Sequence, residues 1–442
     1  MDEIVPQIGD MRKAALALVS PMLIACGTTC PEIVAHRQRF SHDLMRPERA
    51  TPGDRSTKLD DAARADMQLT LPYPLLDELI AGQLHKRPVE VALPTTKLGL
   101  DLSLSVVLEG VKTHALVGRD GIGVTLELGL LKGRSKALDM TLETSFAPTL
   151  ERGVDGRPPG IGLALEADKL GRLEPKTTPE GRDMLSRWLE RELPPVVRAL
   201  SSREVIDALA DEVLGWLSSE LWPIATRELV KDGPLFAATL SLPELSRFGL
   251  EGLATRSRRD GVAFHLVSGV AAAPLTSSDE RIHPKRMVMR LSGKTATALL
   301  SQAMERGEVP GRFSTSGEPD KDGPWEARVG WLGGSSPLHL LLWRTEGRCE
   351  RAEVGAQVAV KVIGDELDVN VREGRLLTIA GPPFAEAFGW LETLFGRAMA
   401  FSFRTSSLFR FEGNDEVVEV RLGRVTFEED LRVELELGVK GR

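Results

Sequence analysis

The chain of 442 residues contains only three cysteines and one tyrosine, and aromatic residues make up 5% of it. Cys26, Cys30 and Cys349 are too few for a disulfide-rich scaffold and show no CxxC pair for zinc. The seven histidines include no HExxH motif and no other close pair with metal-ligand spacing. We therefore expect neither a metal nor a cofactor.

Local catalytic and nucleotide-binding motifs are also missing. No GxSxG sequence marks the nucleophile of a lipase. The segment LSGKTATALL holds a Gly-Lys-Thr triplet, but Val288 stands where a phosphate-binding loop needs glycine. The glycines of GRDGIG precede a strand pattern instead of a helix, which excludes a dinucleotide-binding turn. The sequence thus predicts no enzyme, with a triad assembled from distant residues as the alternative.

Positive charge is in deficit, with 56 Lys and Arg against 64 Asp and Glu, a net charge of -8. This balance argues against broad nucleic-acid binding and against simple electrostatic adhesion to anionic lipid. Beyond residue 30 no apolar run approaches the 18 residues that predict a transmembrane helix. The content of 42% apolar and 27% charged residues is typical of globular domains, and the length suffices for two or three.

Residues 11–30, MRKAALALVSPMLIACGTTC, have the pattern of an export signal. Arg12 and Lys13 form a basic start, and an apolar run too short to span a bilayer ends at Cys26. Residues 23–26, Leu-Ile-Ala-Cys, resemble the lipobox of bacterial lipoproteins, in which cleavage precedes the cysteine and its thiol carries lipid. The alternative is a core helix that ends in cysteine.

The lipobox resemblance implies a signal peptide over residues 1–25 and a lipidated Cys26. Acidic residues precede the basic pair, so translation starting at Met11 is a further alternative. In the lipoproteins that the lipobox resembles, aspartate after the cysteine is associated with retention in the inner membrane. Gly27 at this position therefore favours the outer membrane, with the protein facing the periplasm. Residues 26–60 are polar and rich in arginine and predict a lipidated, flexible tether. With Cys26 lipidated, Cys30 and Cys349 either form one disulfide or remain two thiols.

Long alternations of apolar and polar residues follow and predict an antiparallel meander. In LGLDLSLSVVL, residues 98–108, leucine or valine stands at every second position. Similar alternations begin at Ile122, Leu138 and Ile161. Apolar residues at helical spacing then run from Val205 to Leu221 and predict a long amphipathic helix.

The same order returns in the second half. MVMRLSGKTATALLSQAMERGEVPG aligns without a gap on MQLTLPYPLLDELIAGQLHKRPVEV, so that Met67 matches Met287 and Leu79 matches Leu299. Alternating segments follow at residues 358–371 and 431–439, with a helical pattern at 384–399 between them. Strand, helix, meander and long helix therefore occur twice. Two unrelated α+β domains are the alternative.

This duplicated order resembles the tubular lipid-binding superfamily, which includes the bactericidal/permeability-increasing protein and the lipid-transfer proteins of plasma. The resemblance implies an α+β fold of two tandem similar modules, each a curved antiparallel β-sheet wrapped around a long amphipathic helix. It places the first module at residues 61–232, a connecting segment at 233–282 and the second module at 283–442. Two features depart from the bactericidal protein: the chain is acidic, and no cysteine lies between Cys30 and Cys349.

The resemblance implies an envelope lipoprotein that binds, and in some members transfers, lipid or another hydrophobic ligand in apolar cavities. Its expected partners are a membrane, reached through the N-terminal lipid, a hydrophobic small molecule and other envelope proteins, with no nucleic acid. The alternative is a ligand-free envelope scaffold. The expected apolar lining is Leu79, Leu102, Leu104, Leu126, Leu209, Val213, Leu299, Val360, Phe388 and Leu391.

Overall fold

The chain has a mixed α+β fold in which every strand pairing among the described residues is antiparallel. The computed structural model describes residues 29–45, 64–83, 89–91, 104–116, 121–133, 135–152, 158–165, 175–229, 234–242, 249–269, 274–275, 282–307, 309–315, 318–331, 338–347, 349–363, 366–381, 402–406, 410–413, 417–427 and 430–438.

Helices occupy the beginning of the chain, its middle and the start of its second half. They are α1 Cys30–Met45, α2 Tyr73–Gln83, α3 Pro179–Glu192, α4 Pro195–Leu200, α5 Arg203–Trp216, α6 Trp222–Leu229 and α7 Gly293–Glu305. A π-helical turn, Leu217–Leu221, joins α5 to α6. The amphipathic pattern of the sequence therefore corresponds to a helical run that continues past Leu221.

The strands form three sheets. They are β1 Met67–Pro72, β2 Val89–Val91, β3 Leu104–Ala115, β4 Ile122–Lys132, β5 Ser135–Phe146, β6 Thr149–Glu151, β7 Gly160–Leu165, β8 Lys176–Thr177, β9 Phe236–Ser241, β10 Leu250–Arg258, β11 Gly261–Ser268, β12 Met287–Leu291, β13 Arg312–Phe313, β14 Trp325–Trp331, β15 Leu338–Arg344, β16 Glu350–Ile363, β17 Glu366–Ala380, β18 Ser402–Ser406, β19 Arg410–Gly413, β20 Val417–Phe427 and β21 Leu431–Gly438. Sheet A has the order β10-β11-β1-β12-β21-β20-β19-β9-β7-β6, sheet B the order β2-β3-β4-β5-β8, and sheet C the order β13-β14-β15-β16-β17-β18.

Sheet A contains strands from both halves of the chain, and its first six strands, β10-β11-β1-β12-β21-β20, have a symmetric order. β1 pairs with β12 so that Leu69 lies opposite Met289, two residues that also match in the gapless alignment. The helices that follow begin at the matched residues Tyr73 and Gly293. A hairpin that comes later in the chain lies on the outer side of each strand, β10–β11 beside β1 and β20–β21 beside β12.

Two boundaries drawn from the sequence need correction. The connecting segment predicted at 233–282 instead supplies β9, β10 and β11 of sheet A, where β11 is buried along its whole length. The flexible tether predicted at 26–60 contains α1, a helix that packs on sheet C. For α1 the reason is that a helix packed on one face needs few apolar residues, and for β11 it is that a short run buried on both faces shows no alternation.

Sheets B and C are meanders, each of which packs one face on an apolar core. In β4, Leu126, Leu128 and Leu130 are buried while Thr125 and Glu127 on the other face are partly exposed. This alternation follows from the two-residue period of a strand and confirms the strand pattern read from the sequence. The larger core lies between sheet B, the helices α2, α3 and α5 and the middle of sheet A. The smaller core lies between α7 and sheet C.

Candidate functional site

The larger core is the candidate ligand site, because it brings together apolar side chains from many separate elements. Its buried residues come from β1, β3, β4, β5, β7, β9, β11 and β12, and from α2, α3, α5 and α6. Phe146 and Phe236 meet edge to face inside it, with ring centroids 5.2 Å apart. The arrangement offers aliphatic and aromatic contacts, which suit a ligand recognised by its hydrocarbon.

Half of the lining predicted from the sequence lies in or against this core. Leu79, Leu126 and Val213 are buried in it, and Leu209 packs against it half-buried. Leu299, expected to line the second module, packs against the larger core instead. The reason is that α7 lies between the two cores, with Leu299 on one side and Met304 in the smaller core on the other.

The other predicted lining residues cannot be placed among these contacts. Leu104 lies in β3 and Val360 in β16, but the structure does not describe their side chains. Leu102, Phe388 and Leu391 lie outside the described residues, as does Cys26.

Helix α2 is fixed against sheet B by one carboxylate. Asp77 Oδ1 accepts hydrogen bonds from the Thr113 backbone N–H and the Thr113 hydroxyl, both at 2.6 Å. Burial raises the pKa of Asp77 above its usual range, and the hydrogen bonds from Thr113 oppose that rise. Thr113 also donates to the Tyr73 carbonyl oxygen at 3.3 Å, so the first turn of α2 is held to β3.

Helix α3 approaches sheet B closely at its first turn. Thr178 caps the helix by accepting a hydrogen bond from the Gly181 backbone N–H at 3.0 Å. A Cβ atom on Gly181 would lie 2.5 Å from the Asp139 carbonyl oxygen of β5. Only glycine therefore allows the helix to pack at this distance, which brings Leu185 and Leu189 onto the larger core.

A buried polar cluster connects the start of β1 to the second half of the chain. Asp66 is fully buried and accepts hydrogen bonds from the Ser268 backbone N–H at 2.8 Å, from the Ser268 hydroxyl and from the Thr295 hydroxyl at 2.6 Å. Its own carbonyl oxygen accepts from the Ser292 backbone N–H at 2.8 Å. Burial raises the pKa of Asp66, and these hydrogen bonds oppose the rise. The cluster joins β1, β11 and the start of α7.

A second polar contact crosses the middle of sheet A. The Arg290 guanidinium donates to Gln68 Oε1 at 3.2 Å and pairs with Asp430 Oδ2 at 2.7 Å, and all three residues are buried. Because a buried charge without a partner is costly, these contacts fix β12 in register between β1 and the start of β21.

The outer face of sheet C is covered by α1. Ile33 of α1 is fully buried against Leu341 and Trp343 of β15, and the Phe40 ring centroid lies 5.5 Å from that of Trp343. Arg37 of the same helix pairs with Glu326 at 3.0 Å. The helix therefore closes a second apolar layer on the face of sheet C opposite to Leu340 and Leu342.

A disulfide joins Cys30 at the start of α1 to Cys349 in the β15–β16 connection, with Cα atoms 5.1 Å apart. The sequence left this pairing open. The bond ties Cys30 to the β15–β16 connection of sheet C, so a lipid on Cys26 would be attached within about 14 Å of this tied point, since four residues extend at most about 3.6 Å each.

Strands β14 and β15 and the packing of α1 on sheet C were not predicted from the sequence. A signal was present in LHLLLWR, residues 338–344, whose continuous apolar run indicates a strand buried on both faces. For α1 the signal is weak, because Ile33 and Phe40 stand seven residues apart and only polar residues lie between Ala35 and Phe40.

Among the described residues, no cluster of three or more His, Cys, Asp and Glu side chains is suited to hold a metal ion. In the same part of the chain no helix has the length and apolar character needed to cross a membrane.

Comparisons with known proteins identify no family for the chain. No protein-family model matches it, and no curated protein matches it. Among solved structures, the crystal structure of P47 of Clostridium botulinum E1 aligns over 85% of this chain and 99% of that chain, with a TM-score of 0.39 and 7% sequence identity. A similarity at this level carries no argument about fold or function.

Proposed function

We propose that the chain is a bacterial envelope lipoprotein, anchored through Cys26, that binds and transfers lipids or another hydrophobic ligand. Its two halves are proposed to be related modules, each with its own meander sheet and apolar core. In this proposal each sheet wraps a long helix, as in the tubular lipid-binding proteins that the sequence resembles. The ligand would lie in the larger core, among residues such as Leu79, Leu126 and Val213.

The observation that carries the proposal is the pairing of β1 with β12. Leu69 lies opposite Met289, the helices after both strands begin at matched residues, and each strand has its own hairpin beside it. A local twofold relation of this kind is what a duplicated unit produces when its two copies share a sheet. It supports relatedness of the halves and, through the resemblance, a lipid ligand.

The energetics favour exchange over permanent capture. Burial of each CH₂ group taken from water contributes about 0.8 kcal/mol, which favours taking up a free fatty acid strongly. A lipid that leaves a membrane gains almost none of this, because its tails are already out of water. A core of this kind would therefore load and unload at membranes.

Photocrosslinking tests the ligand directly. The purified full-length chain is incubated with palmitate that carries a diazirine in its acyl chain, irradiated and digested. Crosslinks to the β4 peptide containing Leu126 or the α5 peptide containing Val213, abolished by excess unlabelled palmitate, are expected. Crosslinks confined to exposed segments, or none, together with no lipid in the mass spectrum of the protein from its own membranes, would overturn lipid binding and favour the scaffold.

The anchor needs its own test. Metabolic labelling with an alkyne fatty acid should modify the native chain and leave Cys26→Ser unlabelled and unprocessed. Cys349→Ser is the control, because it changes another cysteine, breaking the Cys30–Cys349 disulfide, but leaves the lipobox intact, so its labelling should be kept. Equal labelling of native chain and Cys26→Ser would contradict lipidation at this residue.

A further inference from the structure

Exposed apolar side chains of the described residues concentrate around one short helix, α4. Val196, Val197 and Leu200 of α4 are 72%, 44% and 83% exposed, and Val205 in the first turn of α5 is 54% exposed. No residue of α4 is buried. Packing within the protein therefore does not explain why this helix carries apolar residues, and such a patch marks an interaction site.

Helix α4 lies at the end of sheet B that is remote from sheet A. Sheet B meets sheet A near Gly121, whose carbonyl oxygen accepts a hydrogen bond from the Ser257 hydroxyl of β10. From there β4 runs for 11 residues, about 35 Å at roughly 3.3 Å per residue, to Lys132. Lys132 pairs with Glu192 at 2.6 Å, and Glu192 is the last residue of α3, just before α4.

The segment that contains α4 is apolar and carries little charge. Residues 193–202, LPPVVRALSS, contain no carboxylate and one charge, Arg198. The Arg198 guanidinium turns back and donates to the carbonyl oxygens of Arg191 at 2.6 Å and Leu193 at 3.1 Å. It thereby satisfies free carbonyls at the end of α3, which would otherwise need water.

We propose that α4, together with Val205, inserts into the surface of a lipid bilayer. Val196 and Leu200 are four residues apart and so share one face of the helix. A helix of six residues is about 9 Å long, whereas a stable protein interface takes about 20–30 residues from each partner. A bilayer sets no such minimum, because each apolar side chain partitions into the acyl boundary on its own.

The inference deepens the proposed function and rests on it for its purpose, since a lipid-exchanging protein must reach a membrane. Charges of both signs flank the segment, with Arg191 and Glu192 before it and Arg203 and Glu204 after it. Binding should therefore depend little on anionic lipid.

Fluorescence quenching tests insertion at α4 itself, apart from any N-terminal anchor. Ser201→Cys is labelled with an environment-sensitive fluorophore in the full-length chain, and excess phosphatidylcholine vesicles with doxyl-labelled acyl chains are added. The label should be quenched, with or without phosphatidylglycerol. A label at Glu143→Cys, on the outer face of sheet B, should not be quenched, and this positional comparison needs no destabilising variant.

Substitutions then test the apolar side chains. Leu200→Asp and Val196→Asp should each lower the inserted fraction of the Ser201→Cys label at least about tenfold, because buried CH₂ groups supply the partition free energy. Leu377→Asp is the matched control, since Leu377 is 45% exposed but lies in β17. Unchanged thermal unfolding of each variant shows that the fold is kept.

An unquenched Ser201→Cys label, or equal quenching after Leu200→Asp, would overturn the inference. So would a protein captured by a photocrosslinker at residue 201 in the absence of quenching, which would assign α4 to a protein partner. The palmitate crosslink separates the two proposals. Quenching without the core crosslink would leave membrane insertion standing and remove the lipid cargo, and the reverse result would remove insertion alone.

Discussion

Sheets B and C pack similar inner faces on apolar cores, but their outer faces differ. The outer face of sheet B carries ion pairs such as Lys112–Glu127 and Lys176–Glu143, both largely exposed. The outer face of sheet C carries Leu341 and Trp343, which α1 covers and the Cys30–Cys349 bond secures. The comparison shows that a sheet with one polar face can end a domain, whereas an apolar second face recruits another segment of the chain.

The largest expected effect comes from the side chain at the centre of the covered face. Trp343→Ala should lower the free energy of unfolding by about 3–5 kcal/mol, because it leaves a cavity under Ile33 and Phe40. Urea titration measures the change. A loss below about 1 kcal/mol would mean that α1 contributes little to the stability of sheet C.

Removing the disulfide should lower the free energy of unfolding somewhat less than Trp343→Ala does. Replacing Cys30 and Cys349 together by serine should lower the free energy of unfolding by about 2–4 kcal/mol, the range typical of protein disulfides. Hydrogen exchange should then show α1 losing protection before β15 does. Equal protection of α1 in both proteins would show that packing alone holds the helix.

Lower pH should weaken the packing of α1 on sheet C. Burial lowers the pKa of His36 on α1, and the positive charges of Arg351 and Arg39 lower it further, while Glu353 opposes them. A histidine with a lowered folded-state pKa supports stability above about pH 6.5, its ordinary value, and that support is lost as the pH falls through the folded value. The protection of α1 should therefore fall in mild acid.

The matched variants are His36→Gln, which cannot titrate, and His283→Gln, which changes a histidine just before β12. The first should flatten the pH dependence of α1 protection and the second should leave it unchanged. An unchanged profile in His36→Gln would assign the effect to another group.

The smallest effect is expected on the outer face of sheet B. Glu143→Ala removes the partner of Lys176 at an exposed pair 3.0 Å apart and should change the free energy of unfolding by no more than about 0.5 kcal/mol. The same urea titration measures it. A loss comparable to that of Trp343→Ala would remove the distinction between the two outer faces.

Strands with strict alternation could be predicted from the sequence, and so could the matched strand–helix units at Met67 and Met287. Each depends on local periodicity, which the chain displays directly. The position of Leu299 could not be predicted, because α7 packs on both cores and the sequence does not show which side of the helix faces which core. The polar cluster of Asp66, Ser268 and Thr295 was equally hidden, since it joins residues that only the fold brings together.

The packing of α1 on β15 has a consequence for how the protein folds during synthesis. Synthesis proceeds from the N-terminus, so residues 30–45 leave the ribosome long before residues 338–349 exist. Throughout that interval Ile33 and Phe40 have no β15 to pack against, and Cys30 has no cysteine with which to form its disulfide. Helix α1 is thus among the last of the described elements to pack in place, and a chain truncated before β15 would leave it without its packing surface.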